Sequence, residues 1–195
     1  MPNFLFIAND PSLDFVNTEI MLADIRTDLL QGFGDLTQWF EQAHLASKAE
    51  MHGLAKAWTN TLEARTTLQA ARALRSVLRD AVERVTRIGR IPTDLAGVLG
   101  RELQHPHLAT EVVHSQGRLS TKPHWILEKP RDLLAPVAHY AANFFATADY
   151  PAIRKCENPK CILWFYDSSK NHSRRWCSME LCGNRAKAAA FREKL

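Results

Sequence analysis

The segment Cys156–Cys182, which reads CENPKCILWFYDSSKNHSRRWCSMELC, decides how the last quarter of this chain folds. It contains all four cysteines of the 195-residue chain. They form two pairs of equal spacing, Cys156 with Cys161 and Cys177 with Cys182. Four randomly placed cysteines would fall within so short a window about once in a hundred sequences. The pattern therefore indicates a single purposeful site.

Two close pairs of cysteines are the ligand pattern of a structural zinc ion. Zn²⁺ takes four tetrahedral ligands, about 2.3 Å from each sulfur, and a short loop brings both thiolates of a pair onto one ion. The Asn158-Pro159 dipeptide favours the tight turn that such a loop needs. Four protein ligands leave no position open for water, so we predict one structural Zn²⁺ without a catalytic role. The predicted ligands are Cys156, Cys161, Cys177 and Cys182.

Other uses of these cysteines are weaker explanations. Two disulfides need an oxidising compartment, and nothing in the sequence indicates export. Four buried free thiols have no reason to occur in matched pairs. A redox switch usually has the tighter C-x-x-C spacing and exposed thiols of low pKa.

The residues around the cysteines predict a small zinc module. Two apolar arms, Ile162–Tyr166 and Trp176, flank the polar stretch DSSKNHS and are typical of a β-hairpin. Cys182 lies where the final helix begins, and Gly183 is small enough to allow close approach to the metal site. A knuckle, a hairpin and a helix, with ligands on the first and last, form a treble-clef arrangement. So small a module buries little core, and the metal must stabilise it.

Charge is distributed unevenly along the chain. Residues 1–150 contain 15 Lys and Arg against 17 Asp and Glu, whereas residues 151–195 contain 10 against 4. This basic segment predicts a polyanion partner, and a zinc-fixed helix carrying Arg and Lys is a known route into the DNA major groove. Neutralisation of the zinc-bound thiolates is the competing interpretation. The candidate nucleic-acid contacts are Arg174, Arg175, Asn184, Arg185, Lys187 and Arg192.

Residues 1–150 are predicted to be mostly helical with one β-hairpin. Apolar spacing predicts a helix over 13–25, and the SKAE segment at 47–50 matches a capping box. The clearest helix spans about 62–88 and is stopped by Gly89. Segment 108–127 is rich in Thr, Val and Ile around the turn SQGR, which predicts the hairpin.

Besides a short helix after Thr93 that ends before Pro106, two more helices complete this part. Asp35 or Thr37 lies near the start of one of them. The other covers 133–148, where Pro136 is tolerated only in the first turn. We therefore predict an α+β fold, with a mostly helical N-terminal domain that contains a β-hairpin and a small treble-clef-like zinc finger after it.

The boundary is predicted at Pro151, where the charge changes, and divides the chain into domains 1–150 and 151–195. No apolar run approaches the ~20 residues that cross a bilayer. The N-terminal segment lacks the basic and apolar regions of a signal peptide. A cytoplasmic protein without membrane contact is therefore expected.

The cysteine-rich segment closely resembles the CGNR zinc finger, which is named for the tetrapeptide Cys182–Arg185. The resemblance is carried by CENPKC and by FYDSSKNHSRRWCSMELCGNRAKAAAFREK from Phe165 onward. Earlier in the chain, DPSLDFVNTE (10–19) and GDLTQWFEQAHL (34–45) are similar to the opening of the ABATE domain. That domain precedes the finger in a family of stress-responsive bacterial transcription regulators. The resemblance implies a zinc-binding, DNA-binding regulator.

Several side chains that suggest chemistry have simpler interpretations. Trp164, Phe165 and Trp176 fit the core of a small module better than a base-stacking surface. Asp10 and Asp14 have the spacing for acid–base chemistry, but capping and surface roles are commoner. Because no nucleophile elbow or metalloprotease motif occurs, no enzymatic activity is predicted. The arginines expected to form a solvated face on the long helix, rather than a second DNA-contacting stripe, are Arg65, Arg72, Arg75 and Arg79.

The leading hypothesis is a regulator whose finger binds DNA while domain 1–150 binds a small-molecule or protein effector. DNA binding is expected to weaken steeply with salt, and replacing Arg174 and Arg175 by Ala is expected to weaken it for every sequence. The alternatives are a zinc-stabilised protein-interaction adaptor, suggested by the aromatic run 164–166, and an RNA-binding protein.

Overall fold

The computed structural model of the chain describes residues 3–104 and 107–192. In chain order, its helices and strands are α1 (Pro11–Val16), β1 (Glu19–Leu22), β2 (Ile25–Asp28), α2 (Phe33–Gln42), α3 (Lys48–Trp58), α4 (Leu62–Ile88), α5 (Leu95–Glu102), β3 (His107–Ser115), β4 (Arg118–Ile126), α6 (Leu134–Thr147), β5 (Ile153–Lys155), β6 (Trp164–Tyr166) and α7 (Asn184–Arg192). A π-helical turn, Met179–Gly183, precedes α7. Within the described ranges, no helix is both long and apolar enough to span a bilayer.

The longest helix, α4, lies at the centre of the fold and confirms the span predicted for residues 62–88. Thr61 caps its start, where Thr61 Oγ1 accepts a hydrogen bond from the backbone N–H of Ala64 (3.1 Å). Gly89 follows its last residue with a left-handed φ of 68°, which glycine adopts without steric cost. The helix packs against α1, α2, α5 and α6. Its buried apolar stripe comprises Leu68, Leu74, Leu78, Val82 and Val85.

The predicted starts of α3 and α2 are set by side-chain caps. Ser47 Oγ accepts from the N–H of Glu50 (3.2 Å), and Glu50 Oε2 accepts from the N–H of Ser47 (2.8 Å), which confirms the capping box. In α2 the carboxylate of Asp35 accepts from the N–H of Gly32 (2.8 Å). Asp35 is therefore the third residue of α2 and caps it from inside.

The predicted helix over 13–25 is wrong beyond Val16. Helix α1 ends there, and β1 and β2 form an antiparallel hairpin. Its turn consists of Ala23 and Asp24, which both have left-handed φ values of 48° and 65°. Ala23 does not indicate such a turn in the sequence, because Gly, Asn and Asp are the usual occupants. The hairpin is stabilised by contacts with the distant helix α4, which local apolar spacing does not reveal.

The hairpin predicted over 108–127 is confirmed as β3 and β4, with its turn at Gln116 and Gly117. At its base Trp125 is buried, and its ring packs edge-on against His139 of α6, with 5.3 Å between the ring centroids. Farther out, the described side chains of both strands are mostly exposed. The hairpin is thus an arm that is anchored to the body through its base.

Helix α6 leads to a core that continues past the predicted domain boundary. It keeps Pro136 at its third position, as predicted, and packs against α1, α4 and α5. Beyond residue 150, the buried side chains of Ile153, Leu163 and Phe165 join the same apolar cluster. The two predicted domains therefore share one core, and their division at Pro151 stays a prediction.

Candidate metal centre and finger surface

The first two cysteines are placed by the hairpin of β5 and β6. Cys156 follows β5 directly, and its N–H donates to the carbonyl oxygen of Leu163 (3.0 Å). The loop between the pair is tight, because the N–H of Cys161 donates to Asn158 O (2.9 Å) and Asn158 Oδ1 accepts from the N–H of Lys160 (3.0 Å). This is the turn that the Asn-Pro dipeptide predicts.

The four sulfur atoms converge on one point. Cys177 follows the polar stretch, and Cys182 lies in the π-helical turn before α7. All four Sγ atoms lie within 4.8 Å of one another, and those of Cys161 and Cys177 are 3.8 Å apart. Sulfurs bound at about 2.3 Å to a tetrahedral ion are separated by about 3.8 Å, so the arrangement fits Zn²⁺. All four are free thiols rather than disulfides.

Hydrogen bonds within the cluster favour ionisation of one sulfur and oppose ionisation of its neighbour. Cys156 Sγ accepts from the N–H of Cys177, and Asn158 Nδ2 donates to Cys182 Sγ, both at 3.4 Å. Hydrogen bonds from the thiols of Cys161 and Cys177 lower the pKa of Cys156 to about 2. The bond to Cys156 raises the pKa of Cys161 to about 12. Thiolates so close repel one another, and all four ionise only around a divalent cation, which supplies structural stability.

The hairpin predicted between Ile162–Tyr166 and Trp176 does not form. Strand β6 pairs with β5 instead, and the segment before Trp176 runs beside the first cysteine loop, where the N–H of Glu157 donates to Arg175 O (3.0 Å). The buried carboxylate of Asp167 accounts for this course. It accepts hydrogen bonds from the N–H of Ser169 within the polar stretch (3.1 Å) and from the N–H of Arg174 just after it (2.8 Å), and so folds that stretch into a loop. A treble-clef arrangement stays a prediction.

Gly183 leaves room for neighbouring side chains rather than for approach to the ion. A Cβ atom at this position would lie 2.6 Å from Met179 Sδ and 3.2 Å from Trp176 Cδ1. The small residue therefore lets the π-helical turn close over Trp176.

The finger is bound to the N-terminal part through backbone groups. The N–H of Tyr166 donates to Ala8 O (2.8 Å). The guanidinium of Arg79 on α4 donates to Val16 O (2.6 Å) and to Ile162 O (3.3 Å). One side chain thus connects the end of α1 to the residue that follows Cys161.

The arginines of α4 do not form the predicted solvated face. Arg65 is exposed as expected, but Arg75 and Arg79 are buried. Arg75 donates from both terminal nitrogens to the two carboxylate oxygens of Asp28 (2.6 Å each), and Arg72 Nε lies 3.2 Å from the same carboxylate. These arginines hold the β1–β2 hairpin on α4, which is a tertiary role without a local sequence signal.

Asp10 has the capping role that was expected to be commoner, whereas Asp14 is neither a cap nor a surface residue. Asp10 Oδ1 caps α1 by accepting from the N–H of Ser12 (2.8 Å). Asp14 is buried and accepts from the N–H groups of Ile7 and Ala8 (2.9 Å each). Burial raises the pKa of Asp14 to about 7.

Among the predicted nucleic-acid contacts, Arg174 differs from the others because its guanidinium is engaged inside the protein. It donates to Ile7 O (2.7 Å), Trp176 O (3.0 Å) and Cys177 O. Its Cζ atom also lies 4.2 Å from the centroid of the Phe165 ring. Arg174 therefore connects the cysteine site to the N-terminal segment.

The remaining predicted contacts are exposed. Arg175 makes a hydrogen-bonded ion pair with Glu157 (2.6 Å). Helix α7 packs mainly against the π-helical turn and displays Asn184, Arg185, Lys187 and Arg192. Nucleic-acid binding by these side chains stays a prediction.

The aromatic side chains of the finger serve the core, as predicted. Trp164 and Phe165 are buried, and Trp176 is half-buried. The aromatic run that suggested a protein-interaction adaptor is thus largely internal.

Two protein families match the chain. Residues 152–194 match the CGNR zinc finger, and residues 9–148 match the ABATE family, described as "Putative stress-induced transcription regulator". Neither is a family of enzymes. The comparison with curated proteins gives no match. Since the ABATE match covers more than half of the sequence, the chain belongs to the ABATE family, and it carries a CGNR zinc finger whose four cysteines form a site for one structural Zn²⁺.

Proposed function

We propose that this protein is a cytoplasmic bacterial transcription regulator that binds DNA through the exposed surface of its zinc finger. Helix α7 is the observation that carries the proposal. Its cations Arg185, Lys187 and Arg192 are exposed and, among the residues that the structure describes, form no ion pair or hydrogen bond. Unpaired cations on a fixed helix are suited to phosphate, because binding neutralises charge without first breaking an internal contact.

The side-chain pattern of α7 supports contact with a DNA groove. Arg185, Ala189 and Arg192 follow one another at helical spacing and therefore lie along one face. Because the alanine between the arginines is small, no long side chain projects between them. Both guanidinium groups can therefore reach phosphates or guanine edges. The four-cysteine site fixes the start of this helix, as recognition requires.

The neighbouring residues have separate parts in the proposal. Arg175 extends the basic surface, and its exposed ion pair with Glu157 is weak enough to exchange for a phosphate. Asn184, the first residue of α7, offers an amide to a phosphate or a base edge. Arg174 is left out of the interface, because its Nε and one of its terminal nitrogens already donate to carbonyl groups within the protein.

Domain 1–150 is proposed to receive the signal from a small-molecule or protein effector. The shared core and the bonds of Arg79 to Val16 and Ile162 support this role. An effector that moves α1 or α4 changes contacts of the loop that carries Cys161. The signal therefore has a short physical path to the finger.

The test is fluorescence anisotropy of a labelled DNA duplex with zinc-loaded protein at several salt concentrations. We expect Arg185→Ala combined with Arg192→Ala to weaken binding about tenfold or more and to reduce the slope of log K against log salt by about two. Arg65→Ala combined with Arg84→Ala is the matched control, because it removes the same charge from exposed positions on α4. Control binding should stay within about twofold of the wild type.

Competition with single-stranded RNA separates the two nucleic acids. DNA binding predicts that unlabelled duplex displaces the probe at lower concentration than RNA of equal length. Preferential displacement by RNA would replace the DNA proposal with the RNA-binding alternative. Absence of binding, or binding whose affinity does not depend on salt concentration, would contradict both the DNA-binding and the RNA-binding proposals.

A further inference from the structure

The β1–β2 turn and the zinc finger together line a cleft. It has a volume of about 700 Å³ and lies between the β1–β2 turn, the loop Asn158–Lys160 and α7. Asp24 lines it from the turn, Lys160 from the loop, and Arg185 and Arg192 from the helix. The basic face of α7 is therefore one wall of a composite site.

The charges in this cleft are three cations and one anion. Asp24 Oδ2 lies 2.7 Å from Lys160 Nζ, and both side chains are largely exposed, at 62% and 69%. Arg185 and Arg192 have no charged partner among residues 3–104 and 107–192. The cleft thus attracts anions, but one of its cations, Lys160, already forms an ion pair with the carboxylate of Asp24.

Asp24 is presented to the cleft by a defined piece of backbone. It shares the β1–β2 turn with Ala23, and both residues have left-handed φ values, which Asp tolerates better than Ala. At the far end of the hairpin, Asp28 is held by two hydrogen bonds from Arg75. The backbone that carries Asp24 is therefore held beside Lys160.

We propose that this cleft binds a phosphodiester strand of DNA and that Asp24 competes with a phosphate for Lys160. The inference rests on the proposed function and adds the N-terminal hairpin to the DNA interface. A phosphate offers Lys160 the same charge and the same kind of oxygen acceptor as Asp24. Because the existing ion pair is exposed, the exchange costs little.

The small side chains of α7 favour the same ligand. Ala186 and Ala189 line the cleft between the two arginines, so a sugar–phosphate backbone can approach the helix closely. In this arrangement the β1–β2 turn limits the affinity of the finger for DNA. Any change that moves the turn away from Lys160 raises that affinity.

The experiment compares Asp24→Asn with Asp80→Asn by anisotropy on a duplex of random sequence. Asp80 is exposed on α4, so its replacement changes the net charge equally at a site away from the cleft. We expect Asp24→Asn to tighten DNA binding about three- to tenfold and to steepen the salt slope by about one, because Lys160 is released for a phosphate. Adding Lys160→Met should remove most of this gain. Zinc content and thermal unfolding, measured for every variant, verify the fold.

The outcomes separate this inference from the proposed function. If the wild type binds DNA and Asp24→Asn behaves like Asp80→Asn, the competition is overturned while the proposed function stands. The competition is also overturned if Asp24→Asn tightens DNA binding by the same factor in protein that carries Lys160→Met. Asp24 would then act only through the net charge of the protein and not through Lys160. If no variant binds DNA, both proposals fail.

Discussion

Asn17 and Trp164 are joined by two reciprocal hydrogen bonds across the predicted domain boundary. Asn17 Nδ2 donates to Trp164 O (2.8 Å), and Asn17 Oδ1 accepts from the N–H of Trp164 (2.9 Å). Both residues are buried. A side-chain amide thus satisfies both backbone polar groups of one residue of strand β6, as a neighbouring strand would. The finger is therefore fixed to the N-terminal part by directional bonds as well as by apolar contact.

Replacement of Asn17 by Ala should lower the free energy of unfolding by about 2–4 kcal/mol, because it leaves a buried N–H and a buried C=O of Trp164 without partners. Urea unfolding followed by tryptophan fluorescence measures the change. Asn143→Ala, which removes the same side chain from an exposed position on α6, is the control and should cost less than about 1 kcal/mol. Equal losses in both variants would show that the two bonds do not contribute.

The zinc prediction follows from sulfur geometry. We expect one Zn²⁺ per chain by elemental analysis and slow reaction of all four thiols with a thiol reagent until a strong chelator is added. Cys177→Ser should lose the metal, since this buried sulfur lies 3.8 Å from that of Cys161. The finger should then unfold and lower the stability of the N-terminal part, because the two share a core.

Reconstitution is the control for this prediction. Zinc added back to the chelated wild type should restore thiol protection, whereas Cys177→Ser should not recover it. Rapid reaction of all four thiols in protein that contains stoichiometric zinc would contradict the assignment of ligands.

The features that the sequence predicts correctly depend on residues close together in the chain. The capping box of Ser47 and Glu50, the stop at Gly89 and the two cysteine pairs each combine chemistry and spacing within a few positions. Local geometry leaves such residues few alternatives. For this reason the long helix and the metal site were predictable without tertiary information.

The features that it misses depend on partners far away in the chain. Arg75 and Arg79 resemble surface residues of an amphipathic helix, because arginine is seldom buried without a partner. Their partners, Asp28 and the carbonyl groups of Val16 and Ile162, become neighbours only after folding. The β1–β2 hairpin was missed for the same reason, as its contacts with α4 outweigh the helical spacing of its apolar residues.

Asp14 should give the protein a distinct dependence of stability on pH. Burial is the main cause that raises its pKa from 3.8 to about 7; Asp10 raises it further, and the N–H groups of Ala8 and Ile7 and the charge of Arg174 lower it. A group whose pKa is raised on folding binds its proton more tightly in the native state. The contribution of Asp14 to the free energy of unfolding is therefore complete below about pH 4 and is lost as the pH rises through about 7.

We therefore expect the wild type to lose about 2 kcal/mol of stability relative to Asp14→Asn between about pH 5.5 and about pH 7.5. The amide that replaces the carboxyl group in Asp14→Asn keeps an oxygen that can accept from the N–H groups of Ile7 and Ala8, but it does not titrate. Urea unfolding of both proteins across this range measures the difference, and effects of pH on the metal site cancel in the comparison. Parallel curves for the two proteins would contradict a raised pKa.

Arg174 and Arg175 are adjacent in sequence, but their replacement should affect different properties of the protein. Arg174→Lys should lower stability by about 2–3 kcal/mol, because one ammonium cannot replace a guanidinium that bonds three carbonyl groups and lies over the ring of Phe165. Arg175→Gln should cost less than about 1 kcal/mol, because its pair with Glu157 is exposed.

For DNA binding we expect the opposite order, with the larger effect from the replacement of Arg175. Arg175→Gln should weaken binding severalfold and reduce the salt slope by about one, whereas Arg174→Lys keeps the charge and should leave the affinity of the folded fraction nearly unchanged. Urea unfolding and anisotropy on the same preparations measure both properties, with zinc content as the check on folding. If Arg174→Lys weakened DNA binding as much as Arg175→Gln without loss of stability, Arg174 would belong to the DNA surface and its internal hydrogen bonds would not be the reason for its presence.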